Sequence, residues 1–501
     1  MLVKKGPFPR KKYPRRKELV WTNKAKALTL MAWGLHGFII LLTGSIVLRL
    51  KPGPDNFFTA IIFAGLIMLP FYFVLYSLAL LMIKPLDRVA KEKLAAQAKA
   101  KIKKLSEPSP LTPLPEGEGN KKVGLIVIGV AGSYGKTTMK EVLKQILDIR
   151  YKVLATPESV NTPVGISRWI LKYADESTQI IIVEMGEHYG GDIKEICEIT
   201  KPDIAVVTGI NESHLERMKK IGTVVATVFE IVSNSKQGAT VVLNADDQRV
   251  MENYKGFVWP DHRVHEFRIK NLELRIFDAE KLVWKAKSPE LGEIEINLLG
   301  EYALGDVDAA ILIGRKLGMS GEEIKKGIAG IKPVEHRLQP MPSAAGVLVI
   351  DDSYNGNPEG VKEAIKVLSR FTNRRKVYIT PGLVEMGKSS AEIHREIGRQ
   401  LAGVADVVIL IKNSVTPWIE EGIKTTPSAF GGHPSLAGGE APRSSPPFQG
   451  GVPPLGGEVV GVNKCQIIWF NSAPEAHESL KEILKPGDVV MFQNDWGDQY
   501  V

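Results

Sequence analysis

Gly132-Ser133-Tyr134-Gly135-Lys136-Thr137-Thr138 is the stretch that decides the fold of this chain. It follows an apolar run, residues 123–130, and precedes a helical pattern, residues 139–147. A strand, a glycine-rich loop and a helix in this order direct backbone N–H groups, a lysine and hydroxyls at the phosphates of a nucleotide. The eight-residue P-loop pattern is incomplete, because Val130 stands where its first glycine belongs. Since a simple strand-to-helix turn does not need Gly-Lys-Thr-Thr, the stretch predicts phosphate binding.

The composition is typical of a folded protein with reduced cysteines, and much of its positive charge is concentrated in two segments. The 501 residues suffice for two or three domains, and contents of 44% hydrophobic and 24% charged residues are ordinary. Cys197 and Cys465 are the only cysteines, which excludes a disulfide scaffold and a cysteine-based zinc site. Of the charges behind the net +9, ten Lys or Arg fall in residues 1–26 and eight in residues 84–104. These clusters flank an apolar region, so we expect a membrane, and no nucleic acid, as their partner.

Two uncharged apolar segments, residues 27–48 and 57–83, lie between the basic clusters. Each exceeds the roughly 20 residues needed to cross the hydrocarbon core of a bilayer. The connecting loop carries only Arg49 and Lys51, so the positive-inside rule places both ends in the cytoplasm. A buried helical hairpin is the alternative interpretation. We expect a two-pass anchor in the cell (inner) membrane, with the catalytic domains in the cytoplasm.

The rest of the chain alternates short β-rich runs with helical patterns, which predicts parallel sheets covered by helices. We expect a polar segment at 263–297 to add antiparallel strands to the first sheet, and a helix within 299–317. Proline-rich and Gly/Pro/Ser-rich stretches predict a linker and a disordered insertion. The predicted strands are 180–184, 204–208, 240–243, 347–351, 377–380 and 407–411. The predicted divisions are a basic tail (1–26), two membrane helices (27–83), a basic helix and linker (84–122), a central domain (123–333) and a C-terminal domain (334–501) with an insertion (425–458).

Polar motifs follow several predicted strands, at the edge where open α/β sheets place their sites. Glu184 ends one strand, and Asn211 and His214 follow another. Alone, His214 is more often a polar residue at the start of a helix, and Asn161-Thr162-Pro163 is more often a turn. Asp351-Asp352-Ser353-Tyr354-Asn355 is harder to explain as a turn, since its acids also offer ligands for a ribose or a metal.

In this order, together with His336-Arg337 and with Glu385-Met386-Gly387 near His394, these motifs resemble those of the Mur ligase family of ATP-dependent amide-bond-forming enzymes. Within that family, the chain is most similar to the branch that adds D-alanyl-D-alanine to a UDP-linked muramoyl peptide. The resemblance runs from residue 123 to the C-terminus, apart from the insertion. It implies an α/β fold class, in which the membrane hairpin is followed by a P-loop-type central ATPase domain and a Rossmann-like C-terminal domain.

The resemblance also implies a reaction and a set of site residues. The γ-phosphoryl group of ATP would pass to a carboxylate of a peptidoglycan precursor, and an amine such as D-alanyl-D-alanine would attack the resulting acyl phosphate. Lys136, His214 and Arg337 would be catalytic, and Asn161, Thr162 and Asn211 would face the substrate. Thr137, Glu184 and His214 would hold Mg²⁺. ATP would be held by Gly132, Ser133, Tyr134, Gly135, Lys136, Thr137, Thr138, Asp306, Arg337, Asp351, Asp352 and Asn355.

Three departures from the family pattern lie within the site. Val228 stands where the family has a lysine, often carbamylated, that completes a second metal site. Either another acid such as Glu187 or Glu212 takes that role, or the second site is weakened. Asp306 replaces the asparagine that packs on adenine, which puts base preference in question. Residues 493–496, Gln-Asn-Asp-Trp, replace a Lys-Gly-Ser-Arg-like segment.

A fourth departure lies in the N-terminal region. There, the predicted anchor replaces the soluble domain that holds the UDP-sugar in the D-alanyl-D-alanine-adding branch. The acceptor is therefore expected to be a UDP-linked or a lipid-linked precursor presented at the membrane. Two alternatives stay open. One is a related ligase for another carboxylate, of the polyglutamate-forming type. The other is a nucleotide-binding membrane scaffold that has lost catalysis.

Overall fold

The computed structural model describes most of the chain after residue 86, and isolated positions before it. No helix among the described residues is both long and apolar enough to cross a bilayer. Nearly all of the two predicted membrane segments lie outside the described residues, as do the basic tail, the linker, most of the 425–458 insertion, His214 and Asn355. The continuous described ranges are 87–107, 124–157, 160–187, 189–212, 218–342, 346–354, 356–384, 386–426 and 465–494.

Helices and strands alternate along the described chain. The strands are β1 (Ile126–Ala131), β2 (Val153–Ala155), β3 (Ile180–Glu184), β4 (Ile204–Val207), β5 (Thr240–Asn244), β6 (Arg263–Phe267), β7 (Glu273–Asp278), β8 (Val283–Ser288), β9 (Gly292–Ile296), β10 (Gln339–Pro342), β11 (Leu348–Asp352), β12 (Lys376–Thr380), β13 (Val407–Ile411), β14 (Gln466–Phe470) and β15 (Val489–Gln493). The helices are α1 (87–106), α2 (Lys136–Leu147), α3 (Pro163–Tyr173), α4 (Asp192–Thr200), α5 (Ile221–Ser233), α6 (Gln248–Asn253), α7 (Tyr302–Lys316), α8 (Gly321–Ala329), α9 (Pro358–Ser369), α10 (Ser390–Ala402), α11 (Thr416–Thr425) and α12 (Ala473–Ile483).

The chain divides into two compact units. Among the described residues, the first joins those up to Lys104, mainly α1, with α3, and in it the ammonium group of Lys101 on α1 donates a hydrogen bond to the Leu171 carbonyl at 2.8 Å. Helix α1 agrees with the predicted basic helix. The second unit holds residues 105–162 and 174–501, and therefore both large sheets.

The first large sheet has the order β2-β3-β1-β4-β5-β6, and all of its neighbouring strands run parallel. The predicted strands β3, β4 and β5 are confirmed with ends shifted by at most one residue, whereas β1 begins three residues later than the predicted run 123–130. Helices α2 and α7 contribute to the same buried apolar cluster as β1 and β3, through residues such as Leu143 and Leu304. The helix predicted from residue 139 begins earlier, at Lys136, because Gly135 takes a left-handed conformation (φ 79°) and ends the loop there.

The prediction for residues 263–297 was wrong in part. Strand β6 extends the first sheet, but it pairs parallel with β5. Strands β7, β8 and β9 form a separate three-stranded antiparallel sheet rather than an extension of the first. Its alternating burial places Trp284 and Ile296 in the core shared with α7, and this packing determines its position. Polar alternation alone does not reveal which sheet a strand joins.

The second large sheet has the order β10-β11-β15-β12-β13-β14, and only β10 pairs antiparallel. Its strands are covered by apolar residues of α9, α10 and α11, such as Ile365, Leu401 and Ile419. This layered parallel sheet agrees with the predicted Rossmann-like fold. Its strands β11, β12 and β15 end beside one another, where the Asp351-Asp352 motif lies.

Contacts along one face of α9 join the second sheet to the first. Glu301, which precedes α7, forms ion pairs with Lys366 and with Arg370, the latter at 3.0 Å. The guanidinium of Arg370 also lies over the Trp284 ring, 4.3 Å from its centroid. Nearer the start of α9, the amide of Asn211 donates to the carboxylate of Glu359. The Asp351-Asp352 loop and the glycine loop therefore belong to the same compact unit.

Candidate nucleotide and metal site

The glycine loop is held against the end of β4. The N–H of Ser133 donates to the Gly209 carbonyl at 2.7 Å, and the Thr208 hydroxyl donates to the Tyr134 carbonyl. Gly132 has φ 147°, and a Cβ there would lie 2.2 Å from the Thr208 hydroxyl oxygen. Only glycine fits this position without displacing the neighbouring strand end. The hydroxyl of Ser133 is buried without a hydrogen-bond partner among the described residues.

Lys136, the first residue of α2, turns back over the loop. Its ammonium group donates to the Gly132 carbonyl and to the Glu187 carboxylate, with N–O distances of 3.0 and 2.9 Å to the two carboxylate oxygens. The Glu187 side chain is 1% exposed. Burial raises the pKa of Glu187, whereas the positive charge of Lys136 opposes that rise. The sequence offered Glu187 only as a replacement metal ligand, so its pairing with the loop lysine was missed.

Glu184 lies at the end of β3, next to β1 in the sheet. Its N–H donates to the Thr156 hydroxyl at 3.0 Å, and Val130 is its register partner on β1. One carboxylate oxygen lies 3.3 Å from the ammonium of the fully buried Lys140, without hydrogen-bond geometry. Thr137, also buried, follows the loop on α2. The structure thus brings two of the three predicted metal ligands to the same edge of the sheet.

No group of three or more His, Cys, Asp or Glu that could hold a metal ion occurs within the described ranges. Val228 is fully buried in α5, among apolar residues. Glu212 forms a two-point ion pair with Arg249, and Glu187 pairs with Lys136. Neither acid suggested as a substitute for the missing lysine is therefore free of a cationic partner in this structure.

Tyr134 of the loop is anchored by a residue that the sequence analysis missed. Its hydroxyl donates to Asp247 at 2.7 Å, and the same carboxylate oxygen accepts the N–H of Ile210 at 2.9 Å. Burial, reinforced by the charge of Asp247, raises the pKa of Tyr134. Asp247 also caps α6 by accepting the N–H of Val250. An acid directly before a helix pattern was the signal that could have identified this cap.

Two of the predicted substrate residues lie close to the strand ends. The carbonyl of Asn161 accepts the N–H of Gly186 at 2.9 Å, two residues beyond Glu184. Thr162 follows it, before α3 begins. Asn211 is 1% exposed and reaches Glu359 of α9. The roles of Asn161, Thr162 and Asn211 stay predictions. Asn161 lies beside the segment that follows Glu184, and Asn211 lies in the segment that follows β4.

Arg337 lies between two residues with left-handed backbone, His336 (φ 58°) and Leu338 (φ 42°). Its guanidinium donates to the Tyr354 carbonyl at 2.7 Å and lies 4.9 Å from the centre of the Tyr354 ring. Its Nε is buried without a hydrogen-bond partner in the described part of the chain. Such backbone strain persists where the surroundings hold it, and it is typical of functional sites.

The two acids of the β11 motif have different partners. Asp351 bonds to the His336 ring at 2.8 Å, whereas Asp352 accepts the N–H of Leu338 at 3.1 Å. Asp306 on α7 is 5% exposed, and one of its oxygens has no hydrogen-bond partner among the described residues. Burial raises the pKa of Asp306 well above its ordinary value. The charges of Asp352 and Asp306 both act on Tyr302, so the structure brings these two acids to one region.

Gln493 and Asn494, noted in the sequence only as a departure, bind this region together. The side chain of Asn494 accepts the N–H of Gly356 at 3.0 Å and donates to the Gly382 carbonyl. Its backbone N–H donates to the Asp352 carbonyl at 2.9 Å. Gln493 accepts the hydroxyl of Thr380 at 3.2 Å. These amides hold three strand ends in place, a role that needs no basic residue.

The protein has two large α/β sheets, with a strand, a glycine-rich loop and a helix of the phosphate-binding type in the first and an acidic loop at the strand ends of the second. Residues 130–314 match the Mur ligase middle domain, and residues 336–493 match the Mur ligase glutamate ligase domain. Together these matches span more than half of the chain. The protein therefore belongs to the Mur ligase family.

Individual relatives agree with this assignment. The chain is 28% identical over 317 residues to a UDP-N-acetylmuramoyl-tripeptide–D-alanyl-D-alanine ligase of Mycobacterium leprae, covering 58% of this chain and 61% of that protein. The enzyme of the same name from Bacillus subtilis is 26% identical, covering 55% and 60%. This chain thus spans about three fifths of their length.

Solved structures show the same fold. The MurF ligase of Thermotoga maritima, in complex with ADP, superimposes with a TM-score of 0.63 at 23% identity and covers 81% of both chains. MurF of Acinetobacter baumannii gives a TM-score of 0.61 at 20% identity, covering 81% of this chain and 77% of that one.

The pH dependence of stability tests the environment of Asp352. Burial raises the pKa of Asp352 to about 7 from its ordinary value of 3.8, against the lowering effect of Arg337. Its stabilising contribution is therefore complete below pH about 4 and is lost as the pH rises through about 7. We predict that Asp352→Asn gains stability relative to wild type between pH about 4 and about 8, as measured by chemical denaturation. A difference between the two proteins that stays constant across this range would contradict the buried environment.

Proposed function

We propose that this chain is an ATP- and Mg²⁺-dependent amide ligase of peptidoglycan synthesis, which joins D-alanyl-D-alanine or a related amine to a carboxylate-bearing precursor. The observation that carries the proposal is the loop at Gly132 to Thr138, which faces Glu184 across neighbouring parallel strands. The relatives, which are UDP-N-acetylmuramoyl-tripeptide–D-alanyl-D-alanine ligases, support the substrate class, and membership of the family supports the chemistry. Because the chain covers only part of those relatives, the acceptor and the amine are part of the proposal.

The residues present fit a nucleotide phosphate and a divalent cation. Gly132 lets the loop backbone pack directly against Thr208, where a Cβ would lie 2.2 Å from the hydroxyl oxygen. The buried hydroxyl of Ser133 and one buried oxygen of Glu184 lack hydrogen-bond partners among the described residues, although buried polar groups normally have them. Backbone N–H groups at the start of α2 and the helix dipole favour an anion there. Hydroxyl and carboxylate oxygens suit Mg²⁺.

Each residue then has a defined task. Lys136 and the N–H groups of residues 134–138 would hold the β- and γ-phosphates, while Thr137 and Glu184 would hold Mg²⁺, which would neutralise charge on the phosphates. Arg337, just before the second sheet, would bind the γ-phosphate. Asp352, with Asp351 and Asn355, holds the ribose, and Asp306 lies at the base. His214 is proposed to hold a second Mg²⁺ near the substrate carboxylate.

The reaction consumes one ATP for each amide bond. The acceptor carboxylate attacks the γ-phosphorus, which releases ADP and forms an acyl phosphate. The amine then attacks the carbonyl carbon, and phosphate leaves as the amide forms. Asn161, Thr162 and Asn211 position the acceptor. The protein contributes positioning and charge stabilisation rather than a covalent intermediate of its own.

Phosphate release tests the proposal. Purified chain with ATP, Mg²⁺ and UDP-N-acetylmuramoyl tripeptide is expected to release phosphate when D-alanyl-D-alanine is added. Lys136→Ala should lower the rate by at least about a hundredfold, because it removes a charge that stabilises the transferring phosphoryl group. Lys144→Ala, two turns further along the same helix, is the matched control and should retain the wild-type rate.

A second candidate is a nucleotide-binding scaffold without catalysis. The buried Val228 and the unpartnered oxygen of Asp306 favour it, since both depart from the family pattern. Tight ATP binding without phosphate release, for any wall precursor and amine, would support the scaffold and refute the ligase. A fully active Lys136→Ala variant would instead refute the role of the loop.

We also propose, from the sequence alone, that residues 27–83 tether these domains to the inner membrane. Tethering would raise the effective concentration of the ligase near a lipid-linked acceptor. Full-length chain expressed in bacteria should stay in the membrane pellet after alkaline carbonate extraction, since its two apolar segments exceed the length of a bilayer core. Release into the supernatant would contradict the two-pass anchor.

A further inference from the structure

Two lysines on α2, one helical turn apart, pair with two carboxylates of a single segment. Lys136 pairs with Glu187, and Lys140 lies 3.3 Å from Glu184. Both carboxylates are less than a tenth exposed, and Lys140 is fully buried. The two acids are close enough for the charge of Glu184 to act on Glu187. The phosphate-binding loop therefore already contains negative charge of its own.

The ammonium group of Lys136 is already engaged. An ammonium offers three N–H donors. In this structure Lys136 donates hydrogen bonds to the Gly132 carbonyl and to one oxygen of Glu187, and the other Glu187 oxygen lies 2.9 Å from its nitrogen. A phosphate that binds Lys136 therefore competes with these acceptors. Since Glu187 is the charged one, it is the direct competitor of the phosphate.

Displacing Glu187 leaves a buried carboxylate without its cation. Water reaches the Glu187 side chain poorly, because only 1% of it is exposed. An incoming phosphate and the nearby Glu184 would both repel it, and a buried charge without a partner is strongly unfavourable. A divalent cation supplies the missing positive charge, and carboxylate and phosphate oxygens are its preferred ligands. One buried oxygen of Glu184, 3.3 Å from the ammonium of Lys140, accepts no hydrogen bond among the described residues and would be a second ligand of such a cation.

We propose that Glu187 is a resident counter-ion of Lys136, which makes nucleotide binding depend on the simultaneous binding of a divalent cation. The inference rests on the proposed function only in taking the loop as a nucleotide site. The coupling is reciprocal, so that nucleotide also tightens binding of the cation. Without the cation, Glu187 keeps Lys136 and the loop holds phosphate weakly.

Titration calorimetry with ADP, in EDTA and in excess Mg²⁺, measures this coupling on the full chain. We expect Glu187→Gln to bind ADP in EDTA at least about tenfold more tightly than wild type does, and to lose most of the wild-type difference between the two conditions. Glu187→Asp, which keeps the charge, should keep a clear dependence on Mg²⁺. Glu266→Gln removes a carboxylate paired with Arg268 on the same sheet, away from the loop, and should match wild type.

The outcomes separate the two proposals. Glu187→Gln with an unchanged Mg²⁺ dependence, in a chain that binds ADP, would overturn the counter-ion role and leave the ligase proposal standing. Failure of wild type to bind ADP in either condition would overturn the proposed function, and the coupling with it. Circular dichroism checks that each variant is folded, and Glu187→Ala provides a second removal of the charge if the glutamine variant is not.

Discussion

The structure depends on the parallel pairing of β1 between β3 and β4. Because parallel strands present their carboxyl ends at one edge, this pairing brings three loops together: the glycine loop, the segment after Glu184 and the segment after Val207. The bond from the N–H of Ser133 to the Gly209 carbonyl and the close approach of Gly132 to Thr208 then fix the loop. Without this register, Lys136 would not lie near Glu184 and in contact with Glu187.

That arrangement concentrates buried charge where a charged ligand is expected. The charges of Lys136 and Lys140 are balanced by those of Glu187 and Glu184. Asp351 and Asp352 belong to the second sheet, and helix α9 on that sheet contacts Glu301, just before α7, and Asn211, after β4. The proposed site would therefore draw its residues from both large sheets.

Much of this could be predicted from sequence because the signals are local. Apolar runs bounded by helical patterns located six strands within one residue, and Gly-Lys-Thr-Thr located the glycine loop. The features that were not predicted depend on contacts between residues that lie far apart in the sequence. The partner of β7 to β9 depends on packing against α7, and the partner of Tyr134 is Asp247, more than a hundred residues away. Glu187 likewise acquired its role only when folding brought it to Lys136. Asn494, which reads as a lost basic motif, is a structural clamp on three strand ends.

In the proposed reaction, a carboxylate is activated by phosphoryl transfer and then joined to an amine. Labelling the acceptor carboxylate of UDP-N-acetylmuramoyl tripeptide with oxygen-18 and analysing the released phosphate by mass spectrometry tests this sequence of steps. An acyl phosphate that collapses on attack by the amine leaves one oxygen of the carboxylate on the phosphate. The account therefore predicts phosphate carrying a single label, formed in step with the amide. Unlabelled phosphate, released at the same rate with or without the amine, would show simple ATP hydrolysis and contradict the account.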